Sequence, residues 1–176
     1  MGSRTAVLKV RARPLDRRLG VVRVGSSTLP CALGRSGIRR VGKREGDGAT
    51  PAGDLALVAV LYRRDRVPRP VTALSVRSIG RNDGWCDDPA DRRYNRPVPL
   101  PHPARCERLW RDDRLYDIVV VLDWNLSRRR PGRGSAIFLH LARPGFAPTE
   151  GCVAVTLPAM RRLLAAAGRG AVLRVV

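Results

Sequence analysis

Short apolar runs, each ended by glycine or proline, constrain the fold of this chain more than any other feature. Runs that alternate apolar and polar residues are typical of half-buried strands, and continuous apolar runs of this length are typical of buried strands. The 17 glycines and 14 prolines among 176 residues supply the turns between them. Strands are therefore predicted at residues 6–12, 20–24, 29–33, 54–62, 71–79, 116–122, 136–141 and 171–176.

Only the C-terminal part of the chain carries a clear helical pattern. Thr156 can cap a helix whose first turn contains Pro158, apolar residues then recur at helical spacing, and Gly168 is placed to end it. A second short helix is predicted at residues 104–111. Together these elements predict a mainly β fold, a β-sandwich or open barrel with one or two short helices, built as a single domain over residues 1–176.

The formal net charge of +19 is the most extreme property of the composition. All but two of the 34 basic residues, Lys9 and Lys43, are arginines. They are scattered along the chain with few aromatic residues between them. A general arginine bias explains this distribution, and attraction to an anionic substrate or surface is the alternative. Nucleic-acid binding is not expected, because no basic block with interleaved aromatic residues is present.

The four cysteines, Cys31, Cys86, Cys106 and Cys152, lie far apart in the sequence. Because no two of them form a C-x-x-C pair, their spacing does not predict a zinc site, and no metal or cofactor is expected. Two disulfides are arithmetically possible, but a globular domain of this size does not require them.

The N-terminal residues and the hydropathy pattern bear on the cellular location. Residues 1–20 contain no apolar segment followed by a cleavage site, so they do not resemble a signal peptide. No stretch approaches the 18 or so apolar residues that a membrane-spanning helix needs. The expected location is the cytoplasm for the sequence as written, and the periplasm if the natural protein is longer at this end.

His140 and Cys152 form the chemically most informative pair. His140 lies in an apolar strand, and Cys152 follows twelve residues later, after Gly151. An imidazole can act as general base for a thiol, which is largely protonated at neutral pH. Gly151 can turn the backbone so that N–H groups converge as an oxyanion hole. The alternative is a small buried cysteine and a structurally satisfied histidine, which the pair alone leaves open.

Residues 81–103 are rich in asparagine, aspartate, glycine and proline. A structureless run of this length inside a domain is usually functional, so a lid over the active site is expected there. Tyr94, Asn95 and His102 are candidate substrate contacts within it, and His102 is also a candidate alternative base. A solvated loop position is the alternative interpretation for each of the three.

The segment around Cys152 resembles the L,D-transpeptidase (YkuD-like) family. Thr149, Gly151, Cys152 and Val153 match the family's motif of Ser/Thr-His-Gly-Cys followed by an apolar residue, behind a strand-borne histidine and a short insert. Residues 47–53 resemble the family's Thr-Pro-x-Gly turn before a strand. The order of elements agrees along nearly the whole chain, down to the helix and final strand after the cysteine.

The resemblance implies a substrate and a set of roles. Cys152 would be the nucleophile and His140 the base, with the Leu141 carbonyl orienting the imidazole. The implied substrate is the tetrapeptide stem of peptidoglycan or a muropeptide, attacked at the bond between the diamino acid and D-Ala to give a thioester. An amine acceptor makes the enzyme an L,D-transpeptidase and water makes it an L,D-carboxypeptidase. An inactive basic module that binds cell-wall polymers is a remote alternative.

Two residues depart from the family pattern. Glu150 replaces the second histidine of the motif, and Ala154 stands where many members carry arginine or asparagine. These changes affect the expected substrate contacts more than the nucleophile. Thr149 and Glu150 are candidate substrate-binding residues, and for Glu150 the two interpretations are binding of a substrate ammonium group and bracing of the turn.

Overall fold

The computed structural model describes residues 6–176, so residues 1–5 of the predicted domain lie outside the described part. The predicted mainly β class is confirmed. The strands are β1 Val7–Ala12, β2 Leu19–Val24, β3 Ser27–Ala32, β4 Ile38–Arg39, β5 Thr50–Pro51, β6 Gly53–Tyr62, β7 Val76–Ser78, β8 Asp83–Cys86, β9 Arg96–Pro99, β10 Cys106–Arg108, β11 Ile118–Leu122, β12 Phe138–Leu141, β13 Val153–Val155 and β14 Val172–Val175. The helix α1 spans Leu157–Ala166, and a single 3-10 turn spans Pro144–Phe146.

A nine-stranded sheet forms the body of the molecule. Its order is β11-β12-β13-β3-β2-β1-β14-β6-β7, and β11 also pairs with β6. Because that additional pairing joins the first strand of this order to the last but one, eight strands close into a barrel, and β7 pairs with β6 outside the ring. The barrel interior is filled by aliphatic side chains such as Leu8, Val120, Leu139 and Val153.

The helix packs its apolar face against this core. Thr156 caps it as predicted, with its hydroxyl accepting a hydrogen bond from the N–H of Ala159 at 3.3 Å. Met160, Leu163 and Leu164 are buried, which fits residues that recur at helical spacing.

Residues 81–111 differ from the prediction. The expected structureless lid and the expected helix at 104–111 are both wrong, because β8, β9 and β10 form a three-stranded antiparallel sheet, called the small sheet below. Strands of three or four residues carry too little alternation to be recognised in the sequence. The prolines of β9 are tolerated because that strand lies at the edge of the small sheet.

The small sheet covers part of the barrel's outer surface. The Trp85 ring packs edge-on against Phe138 with ring centroids 5.1 Å apart. A second apolar cluster, which includes Val119, Val121 and Cys152, fills the space between the two layers. The cleft described next lies beside this cluster.

None of the helices within residues 6–176 is both long enough and apolar enough to span a membrane.

Candidate active site

Two parallel neighbouring strands place His140 and Cys152 on the same side of the barrel wall. Strands β12 and β13 pair with His140 opposite Ala154. Because side chains alternate along a strand, Cys152 lies on the same side as Ala154, and hence as His140. Phe138 shares this side and contacts the small sheet. The two chemically active side chains therefore lie on the outer face of the barrel.

The turn before Cys152 is held by the hydroxyl of Thr149. This hydroxyl accepts a hydrogen bond from the N–H of Gly151 at 3.1 Å and donates one to the carbonyl of Cys152 at 2.7 Å. Gly151 has a φ of 135°, a conformation that side chains rarely allow, and a Cβ there would lie 2.9 Å from the carbonyl oxygen of Ala49. The turn therefore requires glycine at this position.

This geometry corrects the predicted role of Gly151. The Gly151 N–H was expected to contribute to an oxyanion hole, but this N–H already donates a hydrogen bond to the Thr149 hydroxyl. The N–H of Cys152 has no hydrogen-bond acceptor among residues 6–176. Of the two N–H groups, the one of Cys152 is therefore the donor that this turn leaves free.

The thiol of Cys152 is buried and hydrogen-bonded to the backbone. Its Sγ donates to the carbonyl of Ala136 at 3.2 Å and accepts from the N–H of Phe138 at 3.4 Å. Burial raises the pKa of Cys152 to about 12, with the negative charge of Glu107 adding to the effect. The thiol is therefore neutral at pH 7.

The imidazole of His140 is buried and neutral. Burial lowers its pKa to about 4, although the hydrogen bond to Leu141 opposes this shift. Nδ1 lies 2.9 Å from the carbonyl oxygen of Leu141, the contact that the family resemblance implies. Since a carbonyl can only accept, Nδ1 carries the proton and Nε2 keeps its lone pair. The Tyr116 ring packs edge-on against the imidazole, with centroids 5.4 Å apart.

A cleft of about 420 Å³ contains both side chains, a volume in the range of ligand sites. Its ionisable lining is of mixed sign, not uniformly basic. The basic residues are Lys43, Arg105, Arg111 and Arg143, and the acidic ones are Glu45, Asp87, Glu107 and Glu150. Arg105 pairs with Asp87, and Arg111 with Asp113. The net charge of the chain is therefore not concentrated in the cleft.

Glu107 and Tyr116 are cleft residues that the sequence analysis missed. The Tyr116 hydroxyl donates a hydrogen bond to Glu107 Oε1. Burial raises the pKa of Glu107 above its ordinary value, while the bond to Tyr116 opposes the rise. Neither residue belongs to a short motif, and their positions depend on how the small sheet is placed on the barrel. No sequence signal indicated them.

The structure does not place Tyr94 and Asn95 at the cleft, where substrate contacts were predicted. Tyr94 is buried with its hydroxyl donating to Glu45, and neither residue lines the cleft. Asn95 is 1% exposed, and its amide oxygen accepts from Trp85 Nε1 and from the Ala136 N–H. The prediction failed because polar residues in a glycine- and proline-rich segment were taken as exposed, whereas these two connect the small sheet to the barrel.

His102 is also placed away from the cleft. Its Nε2 lies 3.4 Å from Asp91 Oδ2, and it is absent from the lining of the cleft. The structure therefore does not bring His102 to the cleft, where its predicted roles as substrate contact or alternative base would place it.

Thr149 and Glu150 do lie at the cleft, but their polar groups are engaged. Thr149 holds the turn, as described above. The Glu150 carboxylate accepts a hydrogen bond from Arg35 Nε at 2.8 Å. Of the two interpretations of Glu150, bracing of the turn fits this contact.

The glycine-rich segment 47–53 packs against the turn before Cys152. The Asp47 carboxylate accepts hydrogen bonds from Lys43 Nζ and from the N–H of Ala49. The Thr50 hydroxyl accepts from the Gly34 N–H at 2.9 Å and lies 3.4 Å from the Cys152 carbonyl oxygen. The two segments that resemble family motifs are thus in direct contact.

Comparisons with known proteins identify the family of this chain. The family model of the YkuD L,D-transpeptidase catalytic domain matches residues 12–176. A solved structure of Mycobacterium tuberculosis L,D-transpeptidase 1 is 13% identical, with a TM-score of 0.40, over 97% of this chain and 62% of that one. A sequence comparison with curated proteins gives no match. Because the family match spans nearly the whole chain, this protein belongs to the YkuD family of L,D-transpeptidase catalytic domains.

Proposed function

We propose that this protein is a cysteine acyl-transfer enzyme that attacks peptidoglycan stem peptides at the bond between the diamino acid and D-Ala. The observation that carries the proposal is the placement of a buried thiol, Cys152, and a buried neutral imidazole, His140, on one face of the barrel in one cleft. The family membership supplies the substrate class and the position of the attacked bond.

Burial alone does not distinguish Cys152 from the other cysteines. Cys31 is also buried, and its pKa is likewise raised to about 12 by desolvation. Cys31 faces the core beside Gly20 and lines no part of the cleft. A thiol acts as a nucleophile only where a substrate can reach it and a base can take its proton. Of these two buried thiols, only Cys152 lines the cleft that also contains an imidazole, His140.

The first half-reaction forms the thioester. The Cys152 sulfur attacks the carbonyl carbon as its proton passes to Nε2 of His140. The oxyanion that forms accepts a hydrogen bond from the Cys152 N–H. When the C–N bond breaks, the imidazolium returns the proton to the departing D-Ala amine. Because both groups are neutral at rest, proton transfer accompanies bond formation, and no preformed thiolate is needed.

The second half-reaction transfers the acyl group to an acceptor. An amine of a second stem attacks the thioester, its proton passes to His140, and the thiol is released with a new cross-link. We propose this L,D-transpeptidase reaction as the activity. Water in place of the amine gives the L,D-carboxypeptidase reaction with the same proton transfers.

A labelling experiment tests the nucleophile. A carbapenem incubated with the protein should acylate Cys152 and add the mass of one inhibitor to the intact chain. The Cys152→Ala variant should stay unmodified, and the Cys31→Ala variant, which removes a buried thiol outside the cleft, should be labelled like the wild type. An unlabelled wild type would favour the inactive polymer-binding module instead.

A product assay tests the acceptor. The protein is incubated with a disaccharide tetrapeptide and the products are weighed. Dimers with release of one D-Ala per bond support the transpeptidase. Release of D-Ala without dimers would contradict it and identify the carboxypeptidase.

A further inference from the structure

Three potential metal ligands that are remote in sequence meet at the small sheet. Cys86 of β8 and Cys106 of β10 are direct cross-strand partners. One ring nitrogen of His102, on the loop leading into β10, joins the two sulfur atoms so that all three ligand atoms lie within 4.8 Å of one another. The spacing of these residues gave no zinc signal, because the antiparallel pairing of β8 with β10 creates the proximity.

His102 also carries a ring nitrogen without a hydrogen-bond partner in the described part of the chain. Nε2 of His102 is shielded from solvent and has no hydrogen-bond partner among residues 6–176. The carboxylate oxygen Oδ2 of Asp91 lies 3.4 Å away but without hydrogen-bond geometry. Cys86 is fully buried and Cys106 is half-buried. A buried imidazole nitrogen without a partner is costly, so it indicates a ligand at this point.

We propose that Cys86, His102 and Cys106 bind a zinc ion. Two thiolates and one imidazole are a ligand set that zinc prefers, and soft sulfur ligands disfavour magnesium and calcium. The site is separate from the catalytic thiol and does not depend on the proposed function.

The spacing of the ligand atoms suits a tetrahedral ion. Zinc bonds of about 2.0–2.3 Å imply ligand-to-ligand separations of about 3.3–3.8 Å in a tetrahedron. The observed limit of 4.8 Å requires only a modest contraction around the ion. The three residues leave the fourth tetrahedral position to a water molecule.

The electrostatics of the cluster favour a cation. The carboxylates of Asp87 and Asp91 lie near Cys106 and contribute negative charge around the cluster. A divalent ion among these groups would stabilise the thiolates and release their two protons on binding.

A disulfide between Cys86 and Cys106 is the competing arrangement for the same two atoms. Both cysteines are free in this structure. A disulfide would leave the His102 nitrogen without a partner, whereas zinc satisfies it together with both sulfur atoms. The position of His102 beside the two cysteines therefore favours zinc over a disulfide.

The site would fix the small sheet beside the catalytic cleft. Asp87 and Arg105 directly follow and precede the two cysteines, and both line the cleft. An ion that ties β8, β10 and the His102 loop together would hold this side of the cleft in place. We therefore assign the ion a structural role.

Metal analysis of the full chain tests the proposal. Protein purified from zinc-supplemented cells should contain about one zinc per chain by mass spectrometry. The apoprotein loaded with cobalt(II) chloride should show the near-ultraviolet charge-transfer band of thiolate ligands. Chelation of zinc should lower the thermal unfolding midpoint, since the ion binds only the folded chain.

Matched variants locate the ion. Cys106→Ser and His102→Asn should each lower zinc affinity by at least about tenfold. Cys152→Ala and Cys31→Ala, which change the two thiols outside the cluster, should retain full zinc content. Zinc that is lost in Cys152→Ala but retained in Cys106→Ser would overturn the assignment.

Two further results would also overturn the proposal. One is metal-free protein that forms no cobalt band although both thiols are titratable. The other is a Cys86–Cys106 disulfide in protein prepared without oxidant. Metal content is measured without any activity assay, so its outcome is independent of the acyl-transfer test.

Discussion

The backbone conformation of Gly151 makes any side chain at this position destabilising. Its φ of 135° matches the 124° of Gly53, but a Cβ at Gly151 would meet Ala49 O at 2.9 Å, whereas one at Gly53 meets nothing within 4 Å. We expect Gly151→Ala to lower the free energy of unfolding by about 1–3 kcal/mol more than Gly53→Ala does. Urea unfolding of both variants measures the difference.

The same substitution should affect the nucleophile. Displacement of the turn moves Cys152, so acylation by a carbapenem should slow by at least about tenfold in Gly151→Ala. Gly53→Ala should label at the rate of the wild type. Equal rates in the two variants would mean that the turn does not position the thiol.

His140 couples folding to pH. Its pKa falls from 6.5 to about 4 on folding because it is buried. Between these values the unfolded chain binds a proton that the native chain does not, so stability decreases as the pH falls from 6.5 to 4. The loss is on the order of 3 kcal/mol across this window.

Urea unfolding at several pH values measures this effect. His140→Gln has no imidazole to titrate, so its stability should depend less on pH over the same range. A variant with the same pH dependence as the wild type would show that the imidazole is not the titrating group.

At the scale of elements, Asn95 connects the small sheet to the barrel. Its amide oxygen accepts from Trp85 Nε1 at 2.9 Å and from Ala136 N at 3.0 Å, and its amide nitrogen donates to two carbonyls. Asn95→Ala leaves buried N–H groups unpaired and should cost about 3–5 kcal/mol of stability. Denaturant unfolding checks this, with the exposed Asn82→Ala expected to change stability by less than about 0.5 kcal/mol.

Asn95 also affects the site through Ala136, whose carbonyl accepts a hydrogen bond from the Cys152 thiol. Asn95→Asp keeps the accepting oxygen and loses the donors, so its stability should lie between those of wild type and Asn95→Ala. An Asn95→Ala variant as stable as Asn82→Ala would show that the segment is not anchored here.

The predictable elements are those whose pattern is long enough to repeat. The strands at 54–62 and 116–122, and the helix capped by Thr156, follow from periodicity and capping chemistry. Strands β8 to β10 have three or four residues each. Their stability comes from pairing and from packing of Trp85 on Phe138, which local sequence does not encode.

The residues of the candidate site also fall into those that the sequence predicted and those that it did not. His140 and Cys152 were found because a motif places them twelve residues apart. Glu107 and Tyr116 reach the cleft from other elements, so only the assembled fold reveals them. Tyr94 and Asn95 show the opposite error, since polar residues in a loop-like sequence proved to be buried and hydrogen-bonded.

At the scale of the whole molecule, the net charge of +19 surrounds a cleft of mixed sign. Such a field accelerates the encounter with an anionic substrate without altering the bound state. For a stem peptide with free carboxylates, kcat/KM should therefore fall several-fold between low salt and about 0.3 M salt, while kcat stays constant. An amidated peptide should show little salt dependence.

Substitution of two arginines distinguishes the effect of this long-range field on kcat/KM from the effect of a local contact with the substrate. Arg143 lies at the cleft with its guanidinium 3.9 Å from Asp113, whereas Arg161 is exposed on α1. Each substitution by glutamine removes one charge from the total. If only the summed field matters, Arg143→Gln and Arg161→Gln lower kcat/KM equally and slightly. A clearly larger loss in Arg143→Gln that persists at high salt identifies a direct contact with the substrate carboxylate, since a bound ion pair is screened less than a distant charge.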